Sequence, residues 1–426
     1  MDKSDERYGC YVAILEEELV CAMGCTEPIA IAYAAAKARE VLGKFPEQVV
    51  STCSGNIVKN VKGVVVPATG GLRGIEAATL IGAVGGDPAR ELEVLTSVTD
   101  EDRAKVRELL EKKICHVKLS ESKAKLHIIV EMTAGTDSAL VEIMHTHTNI
   151  IRIEKNGQVL YSQKAGDEED DDAENIYQLL NLDDIVTFAN EVKLEDVADL
   201  LKRQVEYNSK IAEVGLTETY GANVGKTLVE NYGTSFEVMA RALPAAGSDA
   251  RMGGCELPVV INSGSGNQGM TVSLPVVALA KEMGASEEQL LRALCVSNLT
   301  AAYEKRDIGR LSAYCGAISA GAAAGAGMMY LKGGSVSEIG NVVLCTIGNV
   351  GGVLCDGAKS SCAAKIASAV DAALLAIHLT EKQRTFGSGE GLVKDTLAET
   401  VAAISTVARE GMQVTDDVIL DVMVNH

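Results

Sequence analysis

The stretch Leu311–Leu331 carries no charged side chain and is built almost entirely from Ala, Gly and Ser, with Cys315 and two Tyr among them. Its length would cross a bilayer, but its low hydrophobicity suits a helix buried inside a soluble protein. Small side chains let neighbouring backbones approach closely, so this run demands a core of tightly packed helices. The rest of the chain agrees: Trp is absent, aromatic residues make up only 4%, and Gly numbers 41. Hydrophobic residues form 47% of the 426 positions, enough for a large globular core divided into two or three domains.

The pattern predicts an α+β fold: a mainly helical catalytic domain with small-residue packing, plus a smaller α+β module. Residues 1–100 read as the first part of the helical domain, 101–166 as the module, and 167–426 as the remainder of the helical domain. Near the N-terminus, an amphipathic helix covers residues 8–22. A second helix follows Thr26, which stands at its cap, with Glu27 and Pro28 in its first turn, and runs to Leu42. Gln48–Cys53 reads as a strand, and 74–84 as a helix of small residues. In the module, β-branched residues and alternation mark strands at 114–120, 124–133, 138–146, 149–154 and 158–163, with Asn156-Gly157 as a hairpin turn. The acidic run 166–174 reads as a solvated loop, and from 175 onward the pattern is helical.

A net charge of −20 argues against nucleic acid and anionic membranes as partners, since both need basic patches. The expected state is a homo-oligomer, a dimer. The opening Met1-Asp2-Lys3-Ser4-Asp5 is charged and lacks the apolar core of a signal peptide. The 11 Cys are scattered and odd in number, which points to a reducing cytoplasm and not to a disulfide framework.

Chemistry concentrates at the thiols. Cys355 and Cys362 lie seven residues apart among Gly, Ala and Ser, with Asp356, Lys359 and Lys365 beside them, and Cys315 lies forty residues upstream. Seven residues is close to two helical turns, so a helical segment would present both sulfurs on one side. Zinc sites favour paired Cys-x-x-Cys spacings, which are missing here, whereas iron–sulfur clusters accept wider ones. The alternative is three buried free thiols acting as small hydrophobes. Cys25 precedes a helix, where the dipole favours a thiolate.

Asn262-Ser263-Gly264-Ser265-Gly266-Asn267-Gln268-Gly269 precedes an apolar helix predicted over 271–283 and forms the best anion site in the chain. Arg73, Arg251 and Arg310 are candidates to clamp a carboxylate beside it. Thr219–Lys226 looks like a phosphate loop but has three residues between its glycines where four are needed, so nucleotide binding there is rejected. His145 and His147 would face one way on a strand, but no further ligand stands at a metal-site spacing. A carboxylate pocket, a Lewis acid and a base together make a β-elimination site for a small amino acid.

The motifs Gly24-Cys25-Thr26-Glu27-Pro28, Asn262–Gly269, Cys315-Gly316 and Cys355-Asp356-Gly357-Ala358-Lys359 with Cys362 resemble the L-cysteine desulfidase family, itself related to the alpha part of iron–sulfur L-serine dehydratases. The resemblance spans nearly the whole chain. It implies a [4Fe–4S] enzyme that converts L-cysteine to pyruvate, ammonia and hydrogen sulfide. It implies Cys315, Cys355 and Cys362 as cluster ligands, with Cys25 as a catalytic thiol or a displaceable fourth ligand. Combined with the residues, it makes Cys25 the first candidate base and Lys359 the second. Substrate carboxylate then rests on Ser263, Gly264, Ser265, Gly266, Asn267 and Gln268, with Arg73 nearby. Two other readings stay open: an L-serine or L-threonine dehydratase using the same cluster, and a non-catalytic sensor of iron or redox state.

Overall fold

The computed structural model describes residues 1, 3–122, 124–163, 176–309 and 311–425. The acidic run 166–174 and Arg310 lie outside the described residues. The architecture is α+β and mainly helical, as the composition required.

A six-stranded sheet has the order β3-β2-β4-β5-β6-β7, with β2 Gln48–Cys53, β3 Cys115–Leu119, β4 His127–Ala134, β5 Asp137–Met144, β6 Ile150–Lys155 and β7 Gln158–Ser162. The strand β2 lies inside it, parallel to β3 (Val49 opposite Cys115) and antiparallel to β4 (Val49 opposite Met132). The α+β unit therefore reaches back across residue 100 and includes part of the segment assigned from sequence to the helical domain. Asn156 (φ 52°) and Gly157 (φ 76°) close the β6–β7 hairpin with two successive positive φ values, the conformation that Asn-Gly favours.

Helices α2 Thr26–Leu42 and α4 Ile75–Gly85 pack against each other, α2 also lying on β4 and β5. Small residues make this possible. A Cβ on Gly82 would sit 2.2 Å from the Ala32 carbonyl oxygen, so no side chain fits at this crossing. The hydroxyls of Ser51 and Thr79, 2.7 Å apart, fasten the sheet to α4. This core also takes in Ile211, Ala250, Val259 and Met270 from the helical part.

A second core is built from helices. Its members include α9 Phe236–Met252, α10 Gly266–Met283, α11 Glu287–Lys305, α12 Gly316–Leu331, α13 Val336–Val350 and α14 Cys362–Glu381. Capping boxes start several helices: Ser286 with Gln289 and Ser335 with Glu338 each satisfy two otherwise free N–H groups. The uncharged run becomes α12, whose residues between Ala317 and Met329 are all buried. Among the described residues one helix, α14, is long and apolar enough to cross a membrane by length and composition; 56% of its apolar window is buried within the protein.

Candidate active site

Several helix N-termini meet at one cavity. Cys25 is the N-cap of α2, Ser265 of α10 and Cys315 of α12, and Cys362 is the first residue of α14; none of these caps uses a side chain to bond the free N–H groups. Cys25, Ser265, Cys315 and Cys362 line the same cavity of about 100 Å³, together with Cys355. The opening N–H groups of a helix lack intrahelical partners and carry its positive dipole end. A chain of net charge −20 thus directs positive potential at one interior space. Among the lining residues, Lys59, Arg251 and Lys305 add cationic side chains.

The three clustered cysteines are placed by backbone pairing. Tyr314 and Leu354 form an antiparallel bridge, flanked by hydrogen bonds from Cys315 N–H to the Val353 carbonyl (3.1 Å) and from Cys355 N–H to the Ala313 carbonyl (2.6 Å). Cys315 and Cys355, each one residue beyond the bridge, therefore project to the same side. Between Cys355 and Cys362 the chain turns at Gly357 (φ 95°), where a Cβ would meet the Lys59 carbonyl oxygen at 2.4 Å. Asp356 holds this loop: it pairs with Lys359 at 2.6 Å and also with Lys365. Burial opposes its ionisation, but the hydrogen bonds from both lysines bring the Asp356 carboxyl down to about 2. Lys359 also donates to the Asp356 carbonyl at 2.9 Å. Its ammonium is directed at its own loop, and it does not line the cavity.

Cys25, and not Thr26, caps α2, and its thiol donates to Glu27 Oε2 at 3.0 Å. Thr26 donates to the same oxygen at 3.1 Å, and Asn60 donates to Glu27 Oε1 at 2.9 Å. The helix terminus does not lower this thiol: burial, then the Glu27 charge, raise the Cys25 pKa well above its ordinary value. Desolvation outweighs the dipole. Glu27 moves the other way. Burial raises it, but the His147 charge, the Cys25 hydrogen bond and Arg251 together hold it below the usual value. Sequence reasoning read Glu27 only as a first-turn helix residue, and considered His147 only with His145. In the structure β5 ends at Met144, the chain turns at His145 (φ 69°), and His147 is buried at the cavity. The two histidines do not share a strand face.

The 262–269 loop borders the other side. Ser263, Gly264, Ser265, Asn267 and Gln268 line the cavity; Gly266 starts α10 beneath them, earlier than the predicted start at 271. Buried amides brace the loop: Asn262 Nδ2 donates to Asn298 Oδ1 at 3.1 Å, and Gln204 Nε2 donates to the same atom at 2.9 Å. The Ser263 N–H is taken by the Glu18 carboxylate. The Gln268 Oε1 is buried without a hydrogen-bond partner among the described residues. Arg251 is buried, donating to the Gly24 carbonyl at 2.7 Å and to Asn267 Oδ1 at 3.2 Å. Arg73 instead bonds the Gly63 carbonyl and does not line the cavity. At 219–226, the place of an anion is filled: Asp249 accepts from the Gly225 N–H at 3.2 Å.

Among the described residues no three His, Cys, Asp or Glu side chains could hold a single metal ion. A cube-shaped cluster spaces its thiolates more widely than one ion does, and a chain of soft donors on one wall fits it. Cys315, Cys355 and Cys362 line the cavity together and act electrostatically on one another, a soft-donor set of the kind such a cluster takes. Burial first, then the Cys355 charge, push Cys315 up to about 12, and burial raises Cys362.

Fold and cavity together define a thiol-rich α+β protein with an anion-attracting interior site. A family model for the serine dehydratase alpha chain matches residues 89–421. The chain belongs to that family, which relates it to the serine dehydratase lyases. It is 55% identical to a "UPF0597 protein" of Lachnoclostridium phytofermentans over 418 residues, covering 98% of this chain and 100% of the relative. A "UPF0597 protein" of Desulfitobacterium hafniense is 47% identical over 429 residues, covering 100% and 99% of the two chains. One of Treponema denticola is 47% identical over 428 residues, covering 99% of each.

Proposed function

We propose that this protein is a β-eliminating lyase for a small L-amino acid, with L-cysteine as substrate and hydrogen sulfide, pyruvate and ammonia as products. The observation that carries the reading is the meeting of Cys25 with Cys315, Cys355 and Cys362 at one cavity ringed by helix N-termini. Family membership supports the lyase class.

Cys315, Cys355 and Cys362 would hold a [4Fe–4S] cluster, which when bound supplies a Lewis acid for the β-substituent. The substrate carboxylate rests at the N-terminus of α10, against Ser265, Asn267 and Gln268, with Arg251 behind Asn267. As Cys25 takes the α-proton, its own thiol proton passes to Glu27 Oε2, 3.0 Å from its sulfur, so that no free thiolate has to form beforehand. Thr26, Asn60 and the charge of His147 keep Glu27 able to return as a carboxylate. The eliminated enamine hydrolyses in water to pyruvate and ammonia.

Dehydration of L-serine is the second reading, favoured by the description of the matching family. Anaerobically reconstituted protein given L-cysteine or L-serine separates the two. Faster sulfide than serine-derived pyruvate release supports the first, and the reverse supports the second. Cys25→Ala should abolish turnover and keep the iron; loss of the iron makes Cys25 a ligand instead.

A further inference from the structure

Among the described residues three cationic side chains with little exposure border the cavity, and two are already engaged. Lys59 pairs with Asp416 and reaches the Cys355 carbonyl at 3.4 Å. Arg251 is bonded to Gly24 and Asn267. Lys305, at the end of α11, is 5% exposed and lines the cavity, yet among the described residues its Nζ makes no hydrogen bond or salt bridge. The charges that reach it come from Cys355, Cys315, Glu18 and Lys125. It faces the same cavity as Cys315, Cys355 and Cys362. Burial disfavours its charged form, a penalty that an anion arriving in the cavity relieves.

We propose that Lys305 receives the negative charge of the departing β-substituent. The inference rests on the lyase reading, in which the substrate carboxylate occupies the α10 N-terminus and its β-carbon points toward Cys315 and Cys355. As Cys25 removes the α-proton, the Cβ–S bond breaks and its electron pair leaves on sulfur. The Lys305 ammonium hydrogen-bonds that sulfur as its charge grows. No oxidant or reductant takes part. An ammonium fixed in place before the charge develops stabilises the transition state more than the ground state.

The test compares L-cysteine with β-chloro-L-alanine, whose chloride leaves with little help. Lys305→Met should lower kcat on L-cysteine by about 100-fold and on the chloro compound by less than about tenfold. Iron and acid-labile sulfide content, thermal unfolding and L-alanine binding by calorimetry should match wild type. Lys305→Arg, which keeps the charge but shifts it, should fall between the two and remain leaving-group selective; it carries the test if the Met variant does not fold. An equal loss on both substrates, or loss of iron with the lysine, overturns the assignment. A wild-type protein that loads iron and converts neither compound overturns the lyase reading itself, and the Lys305 role with it.

Discussion

Replacing Glu27 by Gln removes one charge from the cavity and leaves its shape intact. Glu27 accepts three side-chain hydrogen bonds, from Cys25 at 3.0 Å, Thr26 at 3.1 Å and Asn60 at 2.9 Å. The Gln carbonyl oxygen can keep the Asn60 bond, and its amide can face the Thr26 hydroxyl. What is lost is the charge that strengthens these bonds, each worth roughly 1.5–3 kcal/mol to an ionised acceptor. A net destabilisation of about 2–4 kcal/mol follows, since part of the bonding survives. The catalytic effect should be larger. With no acceptor for its proton, the Cys25 thiol stays protonated, and kcat for L-cysteine should fall by about 10²–10⁴ at unchanged iron content. Sulfide release under anaerobic conditions, normalised to iron, reads this directly. Stability gives a second readout. Glu27 is held below the usual carboxylate value, so its contribution is present above the unfolded pKa and is lost as pH falls through the folded one. The Gln variant should lack that acid-side loss. Turnover within tenfold of wild type, at equal iron, would refute the role given to Glu27.

Three further outcomes follow from particular contacts. Gly357→Ala places a Cβ 2.4 Å from the Lys59 carbonyl oxygen at φ 95°, and should lower the iron bound per chain together with the melting temperature. Asp249→Asn tests a pH effect: burial first raises its carboxyl from 3.8 to about 6, the N–H groups of Gly225, Val224 and Ala222 opposing. The raised group favours the folded state below the unfolded pKa, and that advantage, about 3 kcal/mol, is lost as pH rises through 6. Urea unfolding at pH 4 and 7.5 should therefore show a smaller pH difference in the Asn variant. Asp416→Ala strands the buried Lys59 ammonium and should destabilise the protein by about 3–5 kcal/mol, read by the same urea titration.

Local signals were legible where the chain itself enforces them. Strand β2 was read from Gln48 to Cys53 as observed, the Asn156-Gly157 turn declared its hairpin, and the Gly and Ala run from 316 announced close helix packing. What lay beyond reach was set by topology. Nothing in Gln48–Cys53 shows that it enters the sheet between β3 and β4, because that pairing joins segments more than sixty residues apart. The cysteine motifs were visible as motifs, but Lys59 and Lys305 were not. Each is an ordinary Lys near a helix C-terminus, where the dipole alone would account for it. Only the fold turns them inward. Lys359 shows the opposite case: its place in a motif suggested chemistry, while its bonds to Asp356 and Gly357 show a clamp on the loop. The Cys25 thiol pKa was misjudged from sequence because burial, which outweighs the helix dipole, cannot be read from the residues around it.

The most direct test of the account is the iron and acid-labile sulfide content per chain after anaerobic reconstitution, compared across wild type and single Ser replacements of Cys315, Cys355 and Cys362. The account predicts a near-stoichiometric four-iron cluster in wild type and its loss or marked depletion in each of the three variants. Equal iron in wild type and all three variants, or none in the wild type, would contradict it.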